Sequence, residues 1–145
     1  DGLRTTLVIS APGVSASDQR SERTVSLLDL YPTLIELTGH APRDGLDGKS
    51  LVPLLKQPDA PWSRPVLSTY GYENHSVRNE RWRYIRYHDG TEELYDHNAD
   101  PHEWTNLASD VVKAEHRNVM NQLARHFPET NVVPVAITKS AKQTD

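Results

Sequence analysis

The sequence predicts an α+β fold: a four-stranded antiparallel sheet packed by a C-terminal helix, preceded by a strand–helix piece. Three observations predict it. Seven of the ten aromatic residues lie between Tyr70 and Trp104, in runs rich in β-branched neighbours. Asp89-Gly90 separates two of those runs and is a strong two-residue hairpin signal. Helical spacing flanks the block, at Leu27, Leu30, Leu34 and Leu37 before it and at Val112, His116, Val119, Leu123 and Phe127 after it.

In chain order, Leu3–Ser10 reads as a short buried strand with no visible pairing partner, stopped by Ala11-Pro12-Gly13. A turn at Leu27–Asp29 leads into a helix over Leu30–Thr38. Pro32 sits in its first turn, where backbone N–H groups lack partners, with Asp29 as N-cap and Gly39 as terminator. A connector runs to Gly48, and Ser50 caps a short helix over Leu51–Lys56. The predicted strands are Val66–Tyr72, His75–Asn79, Trp82–His88 and Glu92–Asp96. The covering helix is Asp110–Phe127, ended by Pro128. Residues 1–60 thus form a strand, helix and connector, 61–128 an antiparallel-sheet subdomain, and 129–145 an extended tail.

Composition excludes several functions. Lys plus Arg number 16 against 20 Asp plus Glu, a net charge of −4, which argues against nucleic acid or an anionic membrane as partner. No run of about 18 apolar residues is present to span a bilayer. Cysteine is absent, so disulfides, Zn–Cys sites and thiol nucleophiles are excluded.

No catalytic residues are assigned from the residues alone. His97 to Glu103 carries two histidines and two carboxylates, but Pro101 breaks it and the i,i+5 spacing is poor for a metal. It reads as a solvated loop, so no metal ligand is assigned. Ser10-Ala11-Pro12-Gly13 is no nucleophile elbow. Glu92 and Glu93 alternate across a strand and cannot share one substrate atom. The interleaved Arg and aromatics of residues 78–87 read as arginine stems covering rings, their heads pairing with Glu92, Glu93 or Asp96. Asn74-His75-Ser76 has the form of a glycosylation sequon. Its other readings are a strand edge, or substrate contact by Asn74 and His75 after Gly71.

Several motifs then carry a family resemblance. Val25-Ser26-Leu27-Leu28-Asp29-Leu30-Tyr31-Pro32-Thr33-Leu34, Gly39, and Leu46-Asp47-Gly48-Lys49-Ser50-Leu51-Val52-Pro53-Leu54-Leu55 resemble the C-terminal third of the type I, formylglycine-dependent sulfatases. So do the Arg78–Ile85 strand, Glu93-Leu94-Tyr95-Asp96, Asp100-Pro101-His102-Glu103 and Asn106-Leu107-Ala108, in the same order. The nearest branch is the iduronate-2-sulfatase-like group of bacterial polysaccharide sulfatases, and the match runs over roughly residues 3 to 128.

The resemblance implies that residues 1–60 are the tail end of an alkaline-phosphatase-like α/β catalytic domain, with Leu7-Val8-Ile9 in its sheet. It implies a role in closing one side of a cleft for a sulfated saccharide. The formylglycine motif C/S-x-P-x-R, the calcium ligands and the catalytic His and Lys are expected in sequence outside this chain, which alone would be inactive. The N-terminal catalytic domain is the expected partner, and export to periplasm or exterior is expected of such enzymes. By position, Tyr70, Asn74 and His75 are the candidate substrate-binding residues. The alternative is a free-standing carbohydrate- or protein-interaction module with an aromatic face at Tyr70, Tyr72 and Trp82. An upstream C/S-x-P-x-R segment would favour the first reading, and a native start near Asp1 the second.

Overall fold

A computed structural model describes residues 4–109 and 112–133. A 3₁₀ turn, Leu27–Asp29, runs directly into α1, Leu30–Leu37. Helix α2 is Val52–Lys56. The strands are β1 Val66–Thr69, β2 His75–Arg78, β3 Trp82–Arg86 and β4 Glu92–Asp96, and α3 is Ala114–Ala124. The sheet is an antiparallel meander in the order β1-β2-β3-β4. The four strands and the C-terminal helix expected from sequence are all present; β4 has the expected bounds, and the others are a little shorter than the pattern suggested. The start of the last predicted helix, Asp110, and residues 134–145 of the tail lie outside the described residues, as does Leu3.

Strand alternation sorts the sheet into two faces. Val77, Tyr84 and Leu94 stand side by side in the ladder and meet Met120, Leu123 and Phe127 in one apolar cluster. Tyr84 stacks on Phe127 at 5.3 Å between ring centroids. Its hydroxyl donates to Glu92, whose other oxygen accepts from Arg117 at 3.1 Å. A second cluster, Leu51, Leu54, Ala60 and Trp62, lies under the first half of the chain.

The N-terminal strand is not formed. Residues 4–10 have no ladder partner among the described residues. A strand needs a neighbouring edge to hold its N–H and C=O groups, and the meander does not offer one to this segment. The alternation survives nonetheless: Leu7 and Ile9 pack on the Trp62 cluster, while Val8 is 84% exposed.

Asp29 stands at the N-cap position of α1, as expected, but makes no side-chain cap bond there. Ser26 caps the 3₁₀ turn, its hydroxyl accepting from Leu28 N while Ser26 N donates to Asp29 Oδ2 at 2.8 Å. The Asp29 carboxylate, wholly buried, also accepts from Lys49 N at 2.8 Å and from the Arg64 guanidinium. One turn on, Thr33 Oγ1 accepts from Leu51 N at 2.8 Å. Gly48 lies so close to the turn that a Cβ there would stand 1.9 Å from the Leu28 carbonyl oxygen. The motif D-L-x-P-T is therefore clasped to the motif L-D-G-x-S-L by side-chain-to-backbone bonds, and the glycine is required by close approach.

Candidate functional site

Two regions bring polar groups together: the β1–β2 corner and the sheet face turned away from α3. At the corner, Tyr70 N donates to Asn74 O at 3.0 Å, closing a turn in which Gly71 and Glu73 both adopt positive φ. Tyr70 is 87% exposed. Asn74 is half-buried and its amide is engaged at both ends: Nδ2 donates to Tyr72 O at 3.0 Å, and Oδ1 accepts from His88 N at 3.1 Å. His75 is 2% exposed. Its Nδ1 lies 2.9 Å from Thr69 Oγ1 and its Nε2 2.9 Å from Asn131 Oδ1, with the ring 5.4 Å from Phe127. The three residues share one corner, but their side chains separate. Tyr70 meets solvent, Asn74 braces two hairpins, and His75 faces the interior and holds the segment after α3.

Sequence reasoning missed Glu73 and His88, which pair across this corner at 2.9 Å. That hydrogen bond, then one from Tyr72, holds the Glu73 carboxyl below its ordinary range. Trp82, half-buried, packs against the α3 cluster. Arg81 lies over it at 4.6 Å and His116 meets it edge-on at 6.1 Å, so it forms no shared aromatic surface with Tyr70. Arg81 also grips Asp96 at 2.8 Å, as the arginine-stem reading expected.

The other face carries Ser76, Arg78, Arg83, Ile85, Glu93 and Tyr95, as strand alternation requires. Arg83 Nη1 donates to Glu103 Oε2 at 2.7 Å, and His97 Nε2 lies 2.7 Å from Glu103 Oε1. The segment His97–Glu103 is thus not the freely solvated loop its composition suggested. Glu103 has φ 59°, a conformation that L residues seldom adopt, and its carboxylate meets Arg83 on the sheet. Burial opposes its ionisation, but the hydrogen bonds from Arg83 and His97 outweigh burial and hold its pKa below the ordinary value. Beside this triad opens a cleft of about 780 Å³, walled by four arginines, Arg4, Arg20, Arg23 and Arg78, three carboxylates, Glu22, Asp59 and Glu80, and His97. The signal for it was available in the sequence, since the short Asn79–Arg81 turn places Arg78 opposite Arg83.

Among the described residues no three His, Asp or Glu side chains gather to hold a metal ion. The motif C/S-x-P-x-R does not occur in the sequence, the nearest string being Ser10-Ala11-Pro12-Gly13-Val14. What the arrangement offers is a polar cleft in which arginines outnumber carboxylates by four to three, and an exposed tyrosine, groups suited to holding an anionic or hydroxylated ligand.

Fold and topology together define an α+β domain, an antiparallel meander with one covering helix. Residues 1–132 match the family described as N-sulphoglucosamine sulphohydrolase, C-terminal, and the chain belongs to that family. It is similar to a sulfatase of Formosa agariphila, 35% identical over 113 residues, covering 78% of this chain and 22% of that protein. Human arylsulfatase K is 33% identical over 120 residues, covering 70% and 22%. Among solved structures, a 2-O GAG sulfatase is 35% identical with a TM-score of 0.53, covering 67% of this chain and 24% of that one. The chain spans about a fifth of the length of these relatives. The motifs that carried the resemblance are the residues that knit the fold. Asp29, Thr33 and Gly48 clasp the first half, while Asn106 accepts from Leu94 N at 3.0 Å and donates to Glu92 O at 3.1 Å along the edge of β4.

Proposed function

We propose that the chain is the C-terminal part of a sulfuric-ester hydrolase acting on a sulfated glycosaminoglycan-type saccharide. Its role is to wall and shape the cleft, with bond cleavage carried out by an alkaline-phosphatase-like catalytic region. The observation that carries this reading is an unpartnered surface in a chain a fifth as long as its relatives. Leu27, Leu28, Tyr31 and Leu34 are all exposed on the 3₁₀ turn and α1, and Val8 is exposed in the N-terminal segment. Apolar exposure on that scale suits a surface that meets another protein body. The formylglycine and calcium belong to that body in this reading, which the lack of a C/S-x-P-x-R string in this sequence supports.

The finer placement, in an iduronate-2-sulfatase-like branch cleaving a 2-O-sulfate, draws support from motif order and from the likeness to the 2-O GAG sulfatase. Tyr70 is the residue of the β1–β2 corner open to contact a saccharide, with Asn74 and His75 positioning that corner from behind.

The test is a chimera in which this chain replaces the matching 22% of the Formosa agariphila sulfatase. The chimera should release sulfate from a 2-O-sulfated disaccharide, and the chain alone should match the blank. Turnover by the chain alone, or a folded chimera without turnover, would overturn the proposal.

A further inference from the structure

Arg78 closes β2 on the face turned away from α3, and in the ladder it stands opposite Arg83. Like charges directly opposite on a sheet repel. Arg83 is compensated, its Nε donating to Ser76 Oγ at 3.1 Å and its Nη1 to Glu103 at 2.7 Å. The other Glu103 oxygen is engaged by His97. Among the described residues no hydrogen bond or ion pair reaches the Arg78 guanidinium, and its charge interactions are repulsion from Arg4 and Arg83 against attraction from Glu103. Partial burial, then the neighbouring Arg4, pushes its pKa below the ordinary arginine value. An arginine keeps its proton even so.

A half-buried cation with unused donors, beside a like charge, is a destabilising arrangement unless an anion completes it. This one opens on the cleft of about 780 Å³, a size that takes a small ligand. Arg23, which also lines the cleft, is held in place by the carbonyls of Asp59 and Ala60 at 2.6 and 3.1 Å. It therefore presents its charge without the freedom of a surface side chain. A guanidinium's paired donors match the oxygens of a sulfate.

We propose that this cleft is a subsite for a sulfate substituent of a saccharide, with Arg78 as its anchor and Arg23 as a second cation in its lining. The saccharide part rests on the sulfatase reading above. The inference goes beyond that reading in assigning a second anionic group, one this chain grips and does not cleave.

Titration calorimetry on the full 145-residue chain tests it, using a 2-O-sulfated disaccharide, the same disaccharide without sulfate, and sodium sulfate. The sulfated disaccharide should bind roughly tenfold or more tightly than the unsulfated one. Arg78→Gln should remove that preference, and Arg78→Lys should keep part of it. Arg43→Gln, at an exposed arginine outside this cleft that bonds the Tyr31 hydroxyl at 3.3 Å, should leave binding within twofold. Because no hydrogen bond or ion pair reaches the Arg78 guanidinium among the described residues, Arg78→Gln should leave the thermal midpoint unchanged or raise it. The inference is overturned if sulfated and unsulfated sugars bind alike, if sodium sulfate binds and the disaccharide does not, if Arg78→Gln binds within twofold, or if that variant melts several degrees lower. Any of these leaves the sulfatase reading standing, because the chimera's turnover tests that separately.

Discussion

Replacing Asp29 by Ala should unfasten the first half of the chain. Three donors lose their acceptor: Ser26 N, Lys49 N and the Arg64 guanidinium. The Asp29 side chain is wholly buried and that of Arg64 is 29% exposed, so the arginine is left largely desolvated with no counter-charge. Breaking one side of a buried ion pair destabilises by about 3–5 kcal/mol. The two amides are only partly buried and water recovers some of their bonding, which puts the expected loss near 3 kcal/mol. That is a large fraction of the roughly 5–15 kcal/mol that holds an ordinary domain together. Urea unfolding followed by tryptophan fluorescence reads the effect, because Trp62 sits in the adjoining cluster with its indole N–H donating to Thr24 O at 3.0 Å. Amide exchange should show Lys49 losing protection, with Leu51 following as the connector loosens. Asp29→Asn keeps the shape without the charge and should lose about half as much. A loss below about 1 kcal/mol for Asp29→Ala, with Lys49 still protected, would refute the clasp.

Gly48→Ala drives a methyl against the Leu28 carbonyl and should destabilise by about 3 kcal/mol or more, measured in the same unfolding experiment. Met120→Ala, at a fully buried position under the sheet, should lose about 2–5 kcal/mol by calorimetry. Glu103 has a folded pKa below its ordinary 4.5. Its contribution to stability is therefore complete above that value and lost as pH falls through the lower folded one. Glu103→Gln should flatten this acid limb, and an unchanged slope of stability against pH would contradict the assignment. Tyr70→Ala, at an exposed site, should move the thermal midpoint by less than about a degree, in keeping with the small effects of surface substitutions.

The sheet was legible in the sequence because period-2 runs and Asp89-Gly90 report local geometry. The register, and hence the Arg78–Arg83 apposition, follows from them. The 3₁₀ turn and α1 were legible too, but the partner of Asp29 was not. An Asp ahead of an apolar helix looks like a cap, and nothing local says that its carboxylate serves an amide twenty residues on. Met120 escaped the helical pattern because it sits one position past Val119, on the wider stripe a sheet covers. His75 drew attention as a polar residue near a turn, and its burial depends on Phe127 and Asn131, both more than fifty residues away. Glu103 was read as loop chemistry since positive φ at a glutamate leaves no sequence mark. The missing N-terminal ladder shows the same limit, since composition signals a strand but not whether its neighbour is on the chain.

The clasp around Asp29 pins residues 26–33 at one end of the connector and 48–51 at the other. Between them Gly39 to Gly45 is exposed and largely irregular. Over evolutionary time that stretch is free to lengthen, shorten or change composition without disturbing either anchor. Divergent lineages of this family should accumulate their insertions there while the anchoring residues drift slowly.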